Sequence, residues 1–516
     1  MAAPTENECS PQSVTNSDKT CLIEATVVTG LENLSKDEAI EKLSAPVKVD
    51  RGCIRIQIPL RQVTQVLNLS SVDNLYVVIE EKKGFHFGDN LEEALEKLSN
   101  IIPSIDWQHG LNVWSQFIPF DGLVSHLPQK KESKSGSTCN DEKSKHDQME
   151  GDNETKGGLN AGAASDTVVK SKDSSTEPTS DEKSGTEPPS AGKRHADSEN
   201  CEEEPPKKVR KVPHRKGMPA FRVTCNRSGG KHVFQSPQAA SHFGGAVQEY
   251  FGWNVDLKNF DIEVVLNITG SNVCVLLALT KMSQHRRNIT HFGPTTLRPT
   301  IAYGLLRFCH LKPGEIVCDP MCGGGSIPIE GALGWPNTFH LCGDLHEKAW
   351  NRAHDNITAI NDKRTAVDKK PLLTNVASWD ATKLPLRDES VDVFITDMPF
   401  GKRSGSRMNN WHLYPKVLTE MARCTKRKSG RACLLTQDRK CISKALQGLN
   451  NLWRKGSTLS INIGGLIAGV YLLHRTANAY ECAPTKRRTK EHGQTKEEEC
   501  SNVQNVQQEK QDGDAS

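Results

Sequence analysis

The sequence predicts an α/β fold in which a doubly wound parallel sheet follows two smaller α+β modules. From Leu297 onward, apolar runs alternate with helical patterns, as they do when helices connect the strands of a parallel sheet. Before that point, short strand and helix patterns alternate without such a series. Two polar stretches, 128–215 and 481–516, interrupt and end the pattern, and we expect both to be disordered.

The first module spans residues 20–127. The stretches CLIEATVV, CIRIQI and NLYVVIEE have the composition and alternation of strands. KDEAIEKL and LRQVTQVLNL have helical spacing. These patterns together predict a small α+β unit.

The polar insert follows this module. Residues 129–217 contain a single leucine and no Phe, Trp, Tyr or Ile, too little apolar surface to offset the entropy of an ordered chain. A disordered insert is therefore predicted over 128–215, and a similar tail over 481–516. The basic clusters between Lys193 and Lys211 fit either a nuclear import signal or a solvated charge run.

The second module spans residues 216–290. A strand beginning AFRVT leads into a basic glycine-containing loop and then a helix that we expect to start with Ser236 as its N-cap and Pro237 as its first residue. FDIEVVLNITGSNVCVLLALT predicts two strands around a turn, in which Gly270 supplies the unusual backbone angle.

The third region, 291–480, contains five apolar runs with the sequences EIVCD, TFHLCGD, LLTNVASWD, VDVFITD and RACLLT. Helical patterns lie between them, which indicates the doubly wound sheet. Two further strands around Gly464–Gly465 predict an antiparallel hairpin that closes it.

Four of the five runs end in an acid: Asp319, Asp344, Asp380 and Asp397. Because ligands bind at the carboxyl ends of the strands in such sheets, we expect these acids to line one crevice. A carboxylate at Asp344 suits a ribose diol, and one at Asp380 suits the amine of an adenine. Each acid taken alone could instead cap a turn or helix.

A glycine loop, DPMCGGGSIPIEGALG over 319–334, follows the first run, and its glycines allow a ligand to approach the backbone. The chain lacks the phosphate-binding motif G-x-x-x-x-G-K-[ST], and Ile327 and Pro328 depart from the dinucleotide fingerprint. A nucleoside without a pyrophosphate fits better, and S-adenosylmethionine is the candidate.

These motifs, together with SWDAT and TDMPFG, resemble the successive motifs of class I methyltransferases. The segment FRVTCNRSGGKHVFQSPQAASHFGGAVQE resembles a THUMP module, an RNA-binding unit. The combination is similar to THUMP domain-containing tRNA guanine-N2-methyltransferases over 20–127 and 216–480. It implies a ferredoxin-like module at 20–127, a THUMP module at 216–290 and a class I methyltransferase domain at 291–480.

The resemblance also implies roles for individual residues. Asp397, Pro399 and Phe400 match the Asp/Asn-Pro-Pro-aromatic motif of amino-methylating enzymes, with Met398 in place of the first proline. Asp397 would accept an N–H of the target amine, and Phe400 would stack on the base. The residues implied to hold S-adenosylmethionine are Leu297, Asp319, Gly323, Gly325, Ser326, Asp344, Asp380 and Ala381.

The implied reaction is methylation of the N2 amine of a tRNA guanosine in the acceptor stem, around position 6. Adenine N6, a protein glutamine amide and an inactive RNA-binding scaffold remain alternatives. Partners would be tRNA and a small zinc-binding activator subunit, for which apolar strands such as LCGD near the sheet edge are a hint. The basic side chains expected to contact RNA phosphates are Arg222, Arg227, Lys231, Arg403 and Arg407.

The cysteine content and the apolar runs indicate the cellular compartment of the protein. The chain has 16 cysteines but no CxxC pair, so we expect reduced thiols and no metal site. The N-terminus lacks a secretory pattern, and the longest apolar run, Gly464–Leu473, is far below the ~20 residues that span a bilayer. A protein without membrane spans is expected, in the cytoplasm, with a nuclear pool if the basic clusters act as an import signal.

Overall fold

The computed structural model describes residues 19–120, 215–401 and 406–480. The predictions for the insert, for the basic clusters between Lys193 and Lys211, for the tail and for Arg403 therefore lie outside the described residues. In the described parts, no helix is both long enough and apolar enough to cross a membrane.

The first sheet has eight strands and combines the two N-terminal modules. Its strands are β1 Thr20–Val27, β2 Val47–Asp50, β3 Cys53–Pro59, β4 Val72–Lys82, β5 Ala220–Ser228, β6 Asn254–Val255, β7 Ile262–Thr269 and β8 Asn272–Ala278. Their order is β2-β3-β1-β4-β8-β7-β5-β6. The two modules are joined by the antiparallel pair β4 and β8, in which Tyr76 lies opposite Ala278. The insert thus separates, along the chain, strands that belong to one sheet.

Helices cover this sheet and bury its aromatic core. They are α1 Glu32–Leu43, α2 Leu91–Ser99, α3 Trp107–Trp114 and α4 Ser236–Phe251. The large side chains of Trp114, Phe221 and Phe243 are fully buried. The strands around Gly270, whose φ is 58°, confirm the predicted turn.

Two local predictions in this region were wrong. The helix expected at 60–69 is a 3₁₀ helix, Leu60–Asn68. Ser236 is the first residue of α4 and not its N-cap, because Gln235 has the extended backbone of a cap and its N–H donates to the side chain of Gln238 at 2.8 Å. Pro237 consequently takes the second helical position, where a missing N–H still costs nothing.

The second sheet confirms the doubly wound α/β prediction. Its strands are β9 Ile316–Asp319, β10 Phe339–Asp344, β11 Thr374–Ser378, β12 Val393–Asp397, β13 Arg431–Thr436, β14 Trp453–Ile463 and β15 Leu466–Arg475. The order is β11-β10-β9-β12-β13-β15-β14, with β9 to β13 parallel and the last two strands forming the antiparallel hairpin. The LCGD stretch lies in β10, which is covered on its outer side by β11, so β11 and not β10 is the edge strand.

Five helices accompany this sheet: α5 Pro299–Phe308, α6 Ser326–Gly334, α7 Glu347–Thr365, α8 Arg407–Cys424 and α9 Arg439–Gly448. Helix α5 is one of the contacts between the two sheets. Val28 and Leu31, just after β1, share an apolar cluster with Ile301 and Leu305 of α5. Asp73 of β4 accepts a hydrogen bond from the Thr300 hydroxyl at 2.6 Å. The first sheet therefore holds the helix that leads into the second.

Candidate active site

The switch in strand order places three of the predicted acids next to one another. The chain runs from β9 outward to β10 and β11, then returns to β12 on the other side of β9. Asp319, Asp344 and Asp397 are the last residues of β9, β10 and β12. Because these strands are neighbours and parallel, the three carboxyl groups lie at one edge of the sheet, where open α/β sheets bind ligands.

The glycine loop wraps around the carboxylate of Asp344. One oxygen accepts the Gly323 N–H at 3.0 Å, and the other accepts the His346 N–H at 2.9 Å. Gly323 has a φ of 55°, and a Cβ at this position would meet no atom within 4 Å, so the loop presents bare backbone to open space. Gly325 also has a positive φ, 82°, and in addition a Cβ at this position would lie 3.1 Å from Ala353 of α7.

Leu297 and Ser326 are brought together by a hydrogen bond. The Ser326 hydroxyl donates to the Leu297 carbonyl oxygen at 2.7 Å and so ties the start of α6 to the segment ahead of α5. The Leu297 side chain is half-buried against the same apolar cluster as Phe400. Two predicted cofactor residues and one predicted catalytic residue thus share a small region.

Asp380 has a local role that the sequence left open. Its side chain is exposed, and one carboxylate oxygen accepts both the N–H and the hydroxyl of Thr382 at 2.8 Å. The adjacent Ala381 is buried, and Trp379 donates from its indole N–H to the Pro320 carbonyl at 3.1 Å. Turn capping at Asp380 is therefore present, and contact with an adenine remains a prediction.

Asp397 is the chemically unusual member of the group. Its Oδ1 is buried and has no hydrogen-bond partner among the described residues. Burial, followed by the nearby carboxyl of Asp319, raises the pKa of Asp397 to about 8. Burial likewise raises the pKa of Asp319 to about 7. A buried acceptor without a partner is costly in a folded protein and is typical of a site that receives a donor from a ligand.

The loop after Asp397 is fixed by contacts with the core and with helix α8. The Met398 side chain is only 1% exposed and fills the core between β12 and α8, which accounts for an apolar residue where the family motif more often has proline. The Pro399 carbonyl accepts two hydrogen bonds, from Asn410 at 3.0 Å and from the Tyr414 hydroxyl at 2.7 Å. Both lone pairs of this oxygen are then in use, and it is fixed in place.

Asn410 and Tyr414 are residues that the sequence analysis missed. They lie in α8 together with Val417 and Met421, at the spacing of one helical face, and all four are buried. An asparagine in an otherwise apolar stripe signals a buried hydrogen-bond partner, and this signal could have been read. The partner itself could not, because it lies 11 residues earlier in the chain.

The predicted RNA-contacting residues differ in their exposure and in whether their charges are paired within the protein. Arg222 is half-buried, pairs with Glu263 at 2.9 Å and lies 3.9 Å from the ring centroid of Phe260, so its charge is largely used within the sheet. Arg227 and Lys231 are exposed at the end of β5 and in the loop after it. Arg407 is exposed at the start of α8, seven residues after Phe400, the last of the predicted catalytic residues.

The site fits S-adenosylmethionine. Asp344 is a half-exposed strand-end acid that can accept ribose hydroxyls, and the loop at Gly323 leaves room for a ligand against the backbone. Asp397 has a buried oxygen that meets no donor in the part of the chain that the structure describes. The fold and the site together define a class I S-adenosylmethionine-dependent methyltransferase.

Comparison with known proteins supports this class and specifies the family. Residues 286–468 match the RMKL-like methyltransferase domain family, and residues 202–278 match the THUMP domain. The chain is 44% identical over 464 residues to the tRNA (guanine(6)-N(2))-methyltransferase THUMP3 of Mus musculus, covering 89% of each chain. The chain therefore belongs to the THUMP-domain tRNA guanine-N2-methyltransferase family.

Two solved structures share the fold. The crystal structure of TrmN from Thermus thermophilus aligns with a TM-score of 0.58 at 20% identity, covering 89% of this chain and all of that one. The structure of SMU.472 complexed with SAH aligns with a TM-score of 0.54 at 14% identity, covering 89% of this chain and 99% of that one.

Proposed function

We propose that this chain transfers a methyl group to the exocyclic N2 amine of a guanosine in tRNA. The observation that carries the proposal is the buried Oδ1 of Asp397, which has no partner among the described residues and lies at the switch point of a methyltransferase sheet. The guanine base and tRNA follow from membership of the family, and the name of the mouse relative, which specifies guanine 6, supports the same position here.

The chemical difficulty is the weak nucleophilicity of an exocyclic amine, whose lone pair is conjugated with the ring. Asp397 accepts one N–H of this amine, and we propose that the Met398 carbonyl accepts the other, which draws the lone pair out and aims it. S-adenosylmethionine supplies an electrophilic methyl group when bound. As the new C–N bond forms, the bond between the methyl carbon and the sulfonium sulfur would break, and the sulfur would keep the electron pair as S-adenosylhomocysteine. The amine would then lose a proton, for which the carboxylate of Asp397 is the base in this motif.

The target base reaches the site only when it leaves its stack. Phe400 is half-buried, with one part of its side chain in the apolar cluster near α5, and we propose that the remainder of the ring contacts the base. Base–aromatic stacking is worth ~1–3 kcal/mol where it has been measured for single strands. Arg227, Lys231, Arg403 and Arg407 would contact phosphates and position the RNA without reading its sequence.

We also propose a small zinc-binding activator subunit as a partner, on the basis of the family resemblance. The edge of the second sheet, β11, is compatible with it, because Leu373 beside this strand is 50% exposed and an edge strand offers unpaired backbone groups. Low activity of the chain made alone, restored by the activator, would support this partner. Full activity of the purified chain would contradict it.

We propose the cytoplasm as the location. All cysteines in the described residues are free thiols, which suits a reducing compartment. A nuclear pool would depend on the basic clusters between Lys193 and Lys211. Imaging a tagged chain that lacks 207–211 tests this, and an unchanged distribution would rule out an import signal.

The experiment that tests the proposed function is methylation of tRNA transcripts, followed by mass spectrometry of the nucleosides. We expect N2-methylguanosine from a transcript with guanosine at position 6 and none from the same transcript with adenosine there. N6-methyladenosine would favour the adenine alternative, and methylated protein glutamine would favour the amide alternative. Failure to bind S-adenosylmethionine in calorimetry would favour an inactive scaffold.

A further inference from the structure

A basic cleft lies between the segment 286–290, which joins the two sheets, and the end of α7. Its volume is about 420 Å³. Four cationic residues line it, namely Arg286, Lys363, Arg364 and Lys369, and none of the described residues that line it is a carboxylate. We call this feature the linker cleft.

The cations of the linker cleft have no ion-pair partner among the described residues, unlike Arg287 beside the cleft and Arg307 of α5. Arg287 pairs with Glu330 at 2.7 Å, and Arg307 pairs with Glu41 at 2.8 Å. The charges of Arg287 and Arg307 are neutralised by these ion pairs within the fold. The Arg364 Nε–H donates to the Lys370 carbonyl at 2.8 Å, but a carbonyl does not neutralise the charge. The four positive charges around the linker cleft are therefore available to an anion.

The helix dipole explains only part of this cluster. Lys363 and Arg364 lie in the last turn of α7, where positive charge is favoured even without a ligand. Arg286 belongs to the linker and Lys369 to the loop after the helix, so the dipole of α7 does not account for them. Three separate segments therefore direct positive charge to one concave surface.

We propose that the linker cleft binds backbone phosphates of the tRNA substrate, away from the methylated base. This inference rests on the proposed function for the identity of the polyanion. Helix α7 begins next to Asp344 at the active edge, and the cleft residues 359–363 follow 12 to 16 residues later, which corresponds to about 20 Å along the helix. Double-stranded nucleic acid presents phosphates continuously over such a distance.

A phosphate contact at this distance would set the register of the RNA. Such contacts carry no sequence information, but they fix the position of the duplex on the protein. The linker cleft would thus help to decide which base pair of the helix reaches Asp397, while the active site decides which atom is methylated.

The test compares two double variants of the full chain, each losing two positive charges. Lys363→Ala with Lys369→Ala alters the linker cleft. Lys440→Ala with Lys444→Ala, on exposed positions of α9, is the matched control. We expect the cleft variant to bind tRNA roughly 5- to 30-fold more weakly and to lower the slope of log K against log salt by about 2, because two phosphate contacts are lost. S-adenosylmethionine affinity should be unchanged in both.

Equal effects of the two double variants, or no effect of the cleft variant, would overturn the proposal. Titration of wild type and cleft variant with inorganic phosphate adds a second arm. Phosphate binding that is lost in the cleft variant, with tRNA affinity retained, would show a small-anion site and also overturn it. A wild-type chain that binds tRNA at the cleft without methylating it would contradict the proposed function and leave the cleft assignment standing.

Discussion

The hydrogen bond from Tyr414 to the Pro399 carbonyl predicts a selective effect of Tyr414→Phe on catalysis. The hydroxyl is fully buried, donates to Pro399 at 2.7 Å and lies 2.7 Å from the Thr436 hydroxyl. Burial raises the pKa of Tyr414, so the group stays a donor at working pH. Its removal leaves Asn410 as the remaining donor to the carbonyl and frees the loop that carries Asp397 and Phe400.

The expected loss of kcat follows from the hydrogen bonds that Tyr414→Phe removes. A lost buried hydrogen bond from Tyr414 to Pro399 costs about 1 kcal/mol. The Thr436 hydroxyl still accepts the Asp438 N–H at 3.0 Å but loses its own acceptor, the Tyr414 oxygen, which costs a further ~1 kcal/mol. If this loss raises the activation free energy of methyl transfer by about 2 kcal/mol, kcat falls roughly 30-fold, since 1.36 kcal/mol corresponds to a factor of ten. The affinity for S-adenosylmethionine should change little, because the strand-end acid and glycine loop are untouched.

The assay is single-turnover transfer of a labelled methyl group to tRNA, with cofactor affinity measured by calorimetry. Thr436→Val is the matched control, because it removes the neighbouring hydroxyl and keeps the bond between Tyr414 and Pro399. We expect a similar loss of stability in both variants but a large loss of kcat only in Tyr414→Phe. Unchanged kcat in Tyr414→Phe, or the same loss in Thr436→Val, would refute a role for this bond in placing the loop.

Two other predictions concern the acids. The raised pKa of Asp397, about 8, means that its carboxylate form is lost as pH falls below 8, so kcat/KM should rise about tenfold per pH unit up to pH 8 and then level off. A flat wild-type profile would exclude proton acceptance, and a rising one should become flat in Asp397→Asn. Asp73→Asn weakens the hydrogen bond from Thr300 and the ion pair with Arg298, whose guanidinium lies 3.7 Å from the Asp73 carboxylate. Because Leu297 precedes these residues and would be displaced with them, S-adenosylmethionine should bind about 5- to 30-fold more weakly. Glu41→Gln removes the ion pair of this α1 residue with Arg307 at the other end of α5, and it should leave that affinity unchanged in calorimetry.

The second sheet could be predicted because its information is local. Strands buried on both faces appear as short apolar runs, and an acid at the end of such a run stands out against it. Asp319, Asp344 and Asp397 lie at the strand ends that the sequence indicated. The hairpin around Gly464–Gly465 was visible for the same reason.

Features that depend on long-range contacts could not be predicted. The pairing of Tyr76 with Ala278 crosses about 200 residues, including the whole insert, and no local pattern records it. Strand β2 alternates apolar Val47 and Val49 with polar residues, but its four residues are too few to identify a strand from the sequence. The support of Pro399 by Tyr414 requires α8 to fold back over the loop, which only tertiary packing determines.

Asp397→Ala removes the carboxylate at the end of β12 that we propose activates the amine of a tRNA guanosine. Methyl transfer to tRNA and binding of S-adenosylmethionine should be measured on the same preparation. We expect N2-methylguanosine formation to fall by roughly 10²-fold or more, as for the loss of a general base, while the affinity for S-adenosylmethionine stays largely intact. Full activity of Asp397→Ala would contradict the assignment of this residue and of the motif that contains it.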